Sequence, residues 1–332
     1  MALRLGLIGC GGMGRILARV IRDCVPEARV VVGYDPFEPA QAGFNREFAA
    51  AGAGSLDELL SRVDVDAVLI ATPNHLHCDQ TLAAAAAGKH VFCEKPMALS
   101  VGDCDRMIAA CKEASLKLMV GHSARLKPLA RRLREFVASG ELGEPRHGHA
   151  TYLFSQFKER ESGLWHVNRD RSGGVLFHIG VHQIDLFHAI FGPVRRVQYA
   201  GGHYGSQVRD FDDIATILVE FASAATGVIT VASVSPVPVN EAVFVLSQGY
   251  ARLGDQASYL EFWAGPKQLT RIESKNVSGP DAVECELRSF TGWVLHDEPP
   301  VLTGAEGRAA VAVAEAAQRA RQTGGAVEVT TG

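Results

Sequence analysis

Two stretches of this 332-residue chain carry side chains at spacings that chemistry would use, and a glycine-rich turn precedes both. The turn is Gly9-Cys10-Gly11-Gly12-Met13-Gly14, set between the apolar run Leu3–Ile8 and a helical pattern with Ile16, Leu17, Val20 and Ile21 on one face. In that setting Gly9 permits a tight turn, Gly11 lets a pyrophosphate approach the backbone, and Gly14 lets the helix pack close to the strand. The start of the helix adds unpaired N–H groups and a partial positive charge of about half a unit. Asp35 ends the next strand pattern, Arg29–Tyr34, 21 residues beyond Gly14. That matches the roughly 20-residue spacing of a carboxylate that binds an adenosine ribose. Pro36-Phe37-Glu38-Pro39 follows and offers no Arg or Lys to a 2′-phosphate, so NAD is expected and NADP disfavoured.

The first reactive stretch is Cys93-Glu94-Lys95-Pro96-Met97, directly after Val91-Phe92. Proline biases the residue before it towards extended geometry, so Lys95 is held at a strand end. At the carboxyl end of a parallel strand it would be a fixed cation in a ligand crevice; a plain loop lysine beside a turn proline has the same sequence. The second stretch runs from Gly173-Gly174 to Asp185. His178 and His182 are four apart and would share a helix face, with Asp185 three residues further on. Three readings compete: zinc ligation, His182 as a general base oriented by a neighbour, and histidines that only pack. No Glu completes His-Glu-x-x-His and no third ligand is suitably spaced, so no metal is expected. His75 and His77, and the strand neighbours His147 and His149, are weaker clusters.

The elements that must position these residues fall into two textures. Up to about residue 124 the pattern repeats strand and helix: Leu56–Arg62, Ala67–Ala71, Asp79–Ala87, His90–Phe92, Ser100–Ala114 and Lys117–Val120. This predicts a doubly wound parallel sheet with right-handed crossovers over residues 1–124. Beyond it come a helix Pro128–Ala138, a strand Pro145–Phe154, a polar loop Ser155–Gly174 and a helix Phe177–Ile190. Strand patterns then dominate: Arg195–Ala200, Asp213–Phe221, Gly227–Ser233, Glu241–Leu246, Ala251–Leu253, Tyr259–Trp263 and Gln268–Glu273. Residues 125–332 therefore read as an α+β domain on a large, mainly antiparallel sheet, its final helix 304–321 packing back on the first domain.

Bulk properties narrow the function classes. The length suggests about two domains. Lys+Arg 33 against Asp+Glu 37 gives a formal charge of −4, without the basic excess of a nucleic-acid binder. No stretch reads as a membrane span of about 18 apolar residues, and no basic-then-apolar leader is visible, so a cytoplasmic protein is expected. The seven cysteines (10, 24, 78, 93, 104, 111 and 285) form no Cys-x-x-Cys pair and read as reduced thiols.

In this order and spacing, Gly9–Gly14, Ala71-Thr72-Pro73-Asn74, Glu94-Lys95-Pro96, and Gly173-Gly174 leading to His182 and Asp185 resemble the Gfo/Idh/MocA oxidoreductases. The resemblance spans nearly the whole chain. It implies a Rossmann domain followed by an α+β domain whose open sheet forms homodimer or homotetramer contacts. It also implies NAD-dependent oxidation of a secondary alcohol on a sugar, cyclitol or dihydrodiol. Alternatives are a tightly NAD-bound enzyme whose net reaction is hydrolysis, elimination or epimerisation, and a non-catalytic dinucleotide sensor. By position, Lys95 is similar to the catalytic lysine and His182 to the catalytic histidine, and Lys95–Pro96 is expected to be cis. His178 stands where much of the family has Asp and is taken as the third catalytic candidate. The implied cofactor contacts are Gly9, Gly11, Gly12, Met13, Gly14, Asp35, Thr72, Pro73, Asn74, His77, Glu94 and Lys95. The implied substrate contacts are His122, Arg125, Trp165, Arg169, His178 and Asp185. That basic set adds a second expectation, a substrate carrying a carboxylate.

Overall fold

A computed structural model describes residues 2–155, 165–205, 210–264 and 269–330. In chain order the elements are β1 (Leu3–Ile8), α1 (Gly12–Cys24), β2 (Ala28–Tyr34), α2 (Glu38–Phe48), β3 (Ala51–Gly52), α3 (Leu56–Ser61), β4 (Ala67–Ile70), α4 (His77–Ala86), β5 (His90–Glu94), α5 (Val101–Glu113) and β6 (Leu118–Gly121). Then follow α6 (Pro128–Ala138), β7 (Pro145–Ser155), α7 (Arg169–Ser172), α8 (Val181–Phe191), β8 (Val194–Gly202), β9 (Ile214–Phe221), β10 (Thr226–Ala232), β11 (Val234–Leu246), β12 (Gly249–Gly254), β13 (Tyr259–Ala264), β14 (Thr270–Glu273), α9 (Ala282–His296), α10 (Gly304–Thr323) and β15 (Val327–Glu328). Contacts divide the chain into two compact units, Met1–His122 with Val283–Arg308, and Ser123–Ala282 with Ala309–Gly332.

The first unit is a six-stranded parallel sheet in the order β3-β2-β1-β4-β5-β6. Strand β4 at its centre is apolar throughout, all four residues buried, as expected of a parallel strand covered on both faces. Helix starts are set by local polar chemistry. The Ser55 hydroxyl accepts the Glu58 N–H (3.0 Å) while the Glu58 carboxylate accepts the Gly54 N–H (2.7 Å), and the Ser100 hydroxyl accepts the Asp103 N–H (3.1 Å). Residues 283–308 complete this unit. Phe290 of α9 meets Phe92 edge-on at 5.8 Å, Lys117 bonds the Trp293 carbonyl and Asp297, and Gly304 and Gly307 let the first turn of α10 lie against Leu118 and Val120. The sequence reading, with one boundary at 124, contained no helix at 282–296; Thr291-Gly292 in its middle weakens the helical signal.

The second unit is a nine-stranded sheet, β14-β13-β12-β11-β7-β10-β9-β8-β15, antiparallel except where β7 and β10 run parallel. Helix α8 packs Phe187 and Phe191 on it beside Phe221 and Phe244. Gly148 is required there, since a Cβ would lie 2.7 Å from the Phe191 ring. Several expected limits shift. Strand β11 begins at Val234 and runs through Pro236 and Pro238, with its pairing to β7 interrupted between Val234 and Val239. Within the expected loop Ser155–Gly174, residues 156–164 lie outside the described residues and Arg169–Ser172 is helical. The expected strand start at Gln268 also lies outside them. Among the described residues one helical stretch, Arg169–Phe191, is long and apolar enough to cross a membrane, and its apolar window is 72% buried as core.

Candidate functional site

In the first unit the reactive loops all leave the carboxyl ends of parallel strands, where such sheets bind ligands. After β1, Gly9 adopts φ +96°, and a Cβ on it would lie 2.6 Å from the Ala71 carbonyl oxygen. Gly14 sits against Gly9, where a Cβ would come within 2.0 Å of that residue's carbonyl oxygen. At Gly11 and Gly12 a Cβ would meet nothing within 4 Å, so the turn is hollow on the side where helix α1 begins. Gly11 caps α1 with no side-chain bond, and no acidic residue occupies the first turn. A diphosphate fits this cradle, because open N–H groups and the helix dipole face free space. Met13 beside it is half-buried.

The Asp35 carboxylate accepts the Cys10 N–H (2.9 Å) and the Phe37 N–H (2.9 Å). It therefore holds the glycine turn to the end of β2, and it stands partly exposed for a ribose diol. Replacing Asp35 with Ala is expected to weaken NAD binding about tenfold or more, the value of a charge-assisted hydrogen bond. Tryptophan-quenching titrations with NAD and NADP check this, and unchanged NAD affinity counts against the ribose role.

After β4, the Thr72 hydroxyl donates to Gln80 (2.6 Å), and Pro73 leads into a short turn, Asn74–Leu76, with Asn74 buried. His77 is fully buried; its Nδ1 lies 2.8 Å from the Pro96 carbonyl and its Nε2 2.9 Å from the Thr72 carbonyl. The expectation that His77 touches the cofactor is corrected: the ring is spent on two backbone oxygens beneath the loops. Burial pulls its pKa below the ordinary imidazole range, the two carbonyls pull it up, and the charges of Lys95 and His75 lower it.

After β5, Lys95 is half-buried and Lys95–Pro96 is cis. Desolvation draws the Lys95 ammonium below the ordinary lysine range, opposed by Glu94. The Glu94 carboxyl is buried and pushed up by that burial to about 7, while Lys95 and its own N–H, which donates to Glu94 Oε2 at 3.2 Å, act to lower it. His122 directly follows β6 and is 1% exposed. The thiols nearby are inert, with Cys93 held well above the ordinary range by burial.

In the second unit, the residues before α8 form a π-turn, Leu176–Gly180, so His178 stands in a wider turn and His182 in the first turn of α8. Turns of this kind recur at functional sites. His178 meets the Trp165 ring edge-on at 5.2 Å and stacks on His166 at 6.1 Å with 16° between planes. Trp165 and His178 are thus brought together. His166 was missed, although its place beside Trp165 in a polar loop was a usable signal.

Arg125 and Asp185 are corrected as substrate contacts. Arg125 Nε donates to Asp185 Oδ2 (2.7 Å), Nη2 bonds Oδ1 and the Asp185 carbonyl, and the side chains are 6% and 0% exposed. The two charges satisfy one another inside the unit. Arg169 donates its backbone N–H to Asp210 (2.6 Å) and lines a cavity with Tyr199, Asp212, Gln318 and Arg321; neither His178 nor His182 lines it. In that cavity Arg321 grips Asp212 at 2.5 and 2.7 Å and the Tyr199 hydroxyl donates to the same carboxylate at 2.6 Å. Among the described residues no cluster of three or more His, Cys, Asp or Glu is arranged to hold a metal.

Comparison with known proteins gives two family matches: the oxidoreductase family, NAD-binding Rossmann fold, over residues 3–122, and the GFO/IDH/MocA C-terminal domain over residues 130–252. The chain is 35% identical over 227 residues, 67% of its length, to a 2,7-anhydro-N-acetylneuraminate hydratase of Escherichia coli (strain K12), and spans 59% of that protein. It is 28% identical over 96% of both chains to a myo-inositol 2-dehydrogenase of Thermotoga maritima. A crystal structure of aldose-aldose oxidoreductase from Caulobacter crescentus complexed with glycerol superposes with a TM-score of 0.89 at 26% identity, covering 99% of this chain and 100% of that one.

Proposed function

Because this chain belongs to the Gfo/Idh/MocA oxidoreductase family, we propose that it is an NAD-dependent dehydrogenase moving a hydride between a secondary alcohol of a sugar, cyclitol or dihydrodiol-like molecule and the nicotinamide. The observation that carries this reading is the desolvated amine of Lys95, at the same sheet edge as the glycine cradle and Asp35. Gly11, Gly12 and the start of α1 hold the diphosphate, and Asp35 holds the ribose. Bound NAD supplies the hydride acceptor. Lys95 donates a hydrogen bond to the reacting hydroxyl oxygen and stabilises the negative charge that develops there. His182 takes the hydroxyl proton as general base, and Trp165 and His178 line the place of the substrate ring. The test is absorbance from NADH formation across cyclitols, aldoses, sugar acids and dihydrodiols. A chain that binds NAD yet forms no NADH with any of them contradicts the reading.

The 35% identity to a hydratase favours a second reading, in which NAD stays bound and oxidation is transient within a net elimination or hydration. Nucleotide retained through purification, with product formed and no net NADH, distinguishes it. We assign the protein to the cytoplasm and to a homodimer or homotetramer. Leu218, Val237, Val245 and Trp263, exposed on strands of the nine-stranded sheet, support association through that sheet.

A further inference from the structure

We propose that Gln318 of α10 is a positioning residue: its side-chain amide holds the Gly173 carbonyl and so sets the double-glycine turn from which the segment bearing His178 and His182 springs. Gln318 Nε2 lies 2.9 Å from that oxygen. A carbonyl only accepts, so the amide must turn its NH2 group towards it. Gly173 is buried, and among the described residues no backbone N–H reaches its carbonyl. The donor is itself fixed. Gln318 and Arg321 are three apart and share a helix face. Arg321 grips Asp212 at 2.5 and 2.7 Å, and the Tyr199 hydroxyl of β8 donates to the same carboxylate at 2.6 Å. The end of α10 is thereby bound to the nine-stranded sheet, all within the second unit.

The turn needs such a hold. Gly173 and Gly174 stand at φ +80° and +83°, and glycine leaves such conformations at little cost. Its other polar groups are tied locally: the Gly173 N–H donates to the Arg169 carbonyl (2.7 Å), the Gly174 N–H to the Ser172 hydroxyl (3.1 Å) and the His178 N–H to the Gly174 carbonyl (2.9 Å). These bonds shape the turn without setting it against the rest of the unit. Asp210 ties the chain four residues earlier, through the Arg169 N–H at 2.6 Å, and the Phe211 ring beside Gly174 gives a contact without direction. At the turn itself the directional tie is Gln318. From there the geometry passes on. His178 hangs from the Gly174 carbonyl, and the N–H of Val181, next to His182, donates to the Leu176 carbonyl. The kinetic consequence rests on the role proposed above for His182; the setting of the turn does not.

Two substitutions test the proposal: Gln318→Met keeps the reach of the side chain and loses the donor, and Gln318→Lys keeps a donor. The first readout needs no turnover. It is the 15N–1H signal of the Trp165 indole, assigned by its loss in Trp165→Phe, because that ring meets His178 edge-on at 5.2 Å and its shift follows their arrangement. The signal is expected to move in Gln318→Met and to return towards its wild-type place in Gln318→Lys. An unmoved signal in Gln318→Met overturns the proposal. In kinetics, Gln318→Met is expected to lower kcat by up to about 10²-fold, as for a reacting group misplaced by about an ångström. Affinity for NAD is expected to stay within about threefold, and Gln318→Lys to recover most of the lost rate. A merely structural bond gives instead a lower melting temperature with wild-type kcat. That result, or a Gln318→Lys enzyme as slow as Gln318→Met, removes the positioning role. If the wild-type chain oxidises no alcohol at all, the dehydrogenase reading fails while the Trp165 signal still decides whether Gln318 sets the turn.

Discussion

Replacing Lys95 with Ala is expected to lower kcat about 10²–10⁴-fold, the range for a positioned donor or base, while the affinity for NAD stays within about threefold, a change of less than 1 kcal/mol. In the proposed site the glycine cradle and Asp35 hold the nucleotide, and neither uses the lysine side chain. What Lys95 supplies is a cation already stripped of much of its water, so that less solvent must rearrange as charge builds on the substrate oxygen. The same desolvation sets a pH signature. Its pKa lies below the ordinary lysine value of 10.5, so the charged form is present below that lowered value, and the contribution of Lys95 to activity is lost as pH rises through it. A kcat profile that stays flat beyond the ordinary lysine range contradicts this role. Removing the Lys95 charge also takes away an influence that lowers the Glu94 pKa, so Glu94 is expected to hold its proton more firmly in the variant. His182→Ala is expected to fall in the same kinetic range, again with NAD bound. Stopped-flow hydride transfer and calorimetric NAD titration measure both quantities. If both variants lose NAD binding, the site has been misplaced.

The second large effect concerns stability. Asp185→Ala is expected to destabilise the protein by about 3–5 kcal/mol, because it leaves the Arg125 guanidinium charged without its carboxylate in a closed interior. Arg125→Ala strands the opposite charge and should cost a similar amount. Replacing both with apolar residues of like volume, Arg125→Met with Asp185→Leu, is expected to recover most of the loss, since the desolvation penalty disappears with the charges. Urea unfolding of the four proteins closes the cycle. A single Asp185→Ala variant within 1 kcal/mol of wild type, or a double variant no better than the singles, contradicts it.

How far the sequence was legible follows from how local each feature is. The glycine turn and Asp35 could be read because a tight turn needs glycine at fixed positions and the strand that follows has a set length. Lys95 could be singled out because the proline beside it restricts its backbone. The Arg125–Asp185 pair was hidden because the partners are 60 residues apart, and each, read alone, resembles a ligand contact. The work of His77 was invisible for another reason: both its partners are backbone carbonyls, which carry no sequence signature. Spacing set His178 and His182 on one face of a regular helix, whereas the chain makes a π-turn at Leu176–Gly180 before α8. Helix α9 was lost to the glycine in its middle, and with it the true extent of the first unit.

That extent bears on how the protein is born. A chain emerging from the ribosome presents β1 to β6 first, yet Phe290, which meets Phe92, and the first turn of α10, which lies against Leu118 and Val120, appear only after residues 123–282 of the second unit. The nucleotide-binding unit therefore has part of its apolar covering still unmade while residues 123–282 are synthesised. Ordered synthesis from the N-terminus does not finish the first unit first; its completion waits for residue 308, after nearly the whole of the second has been released.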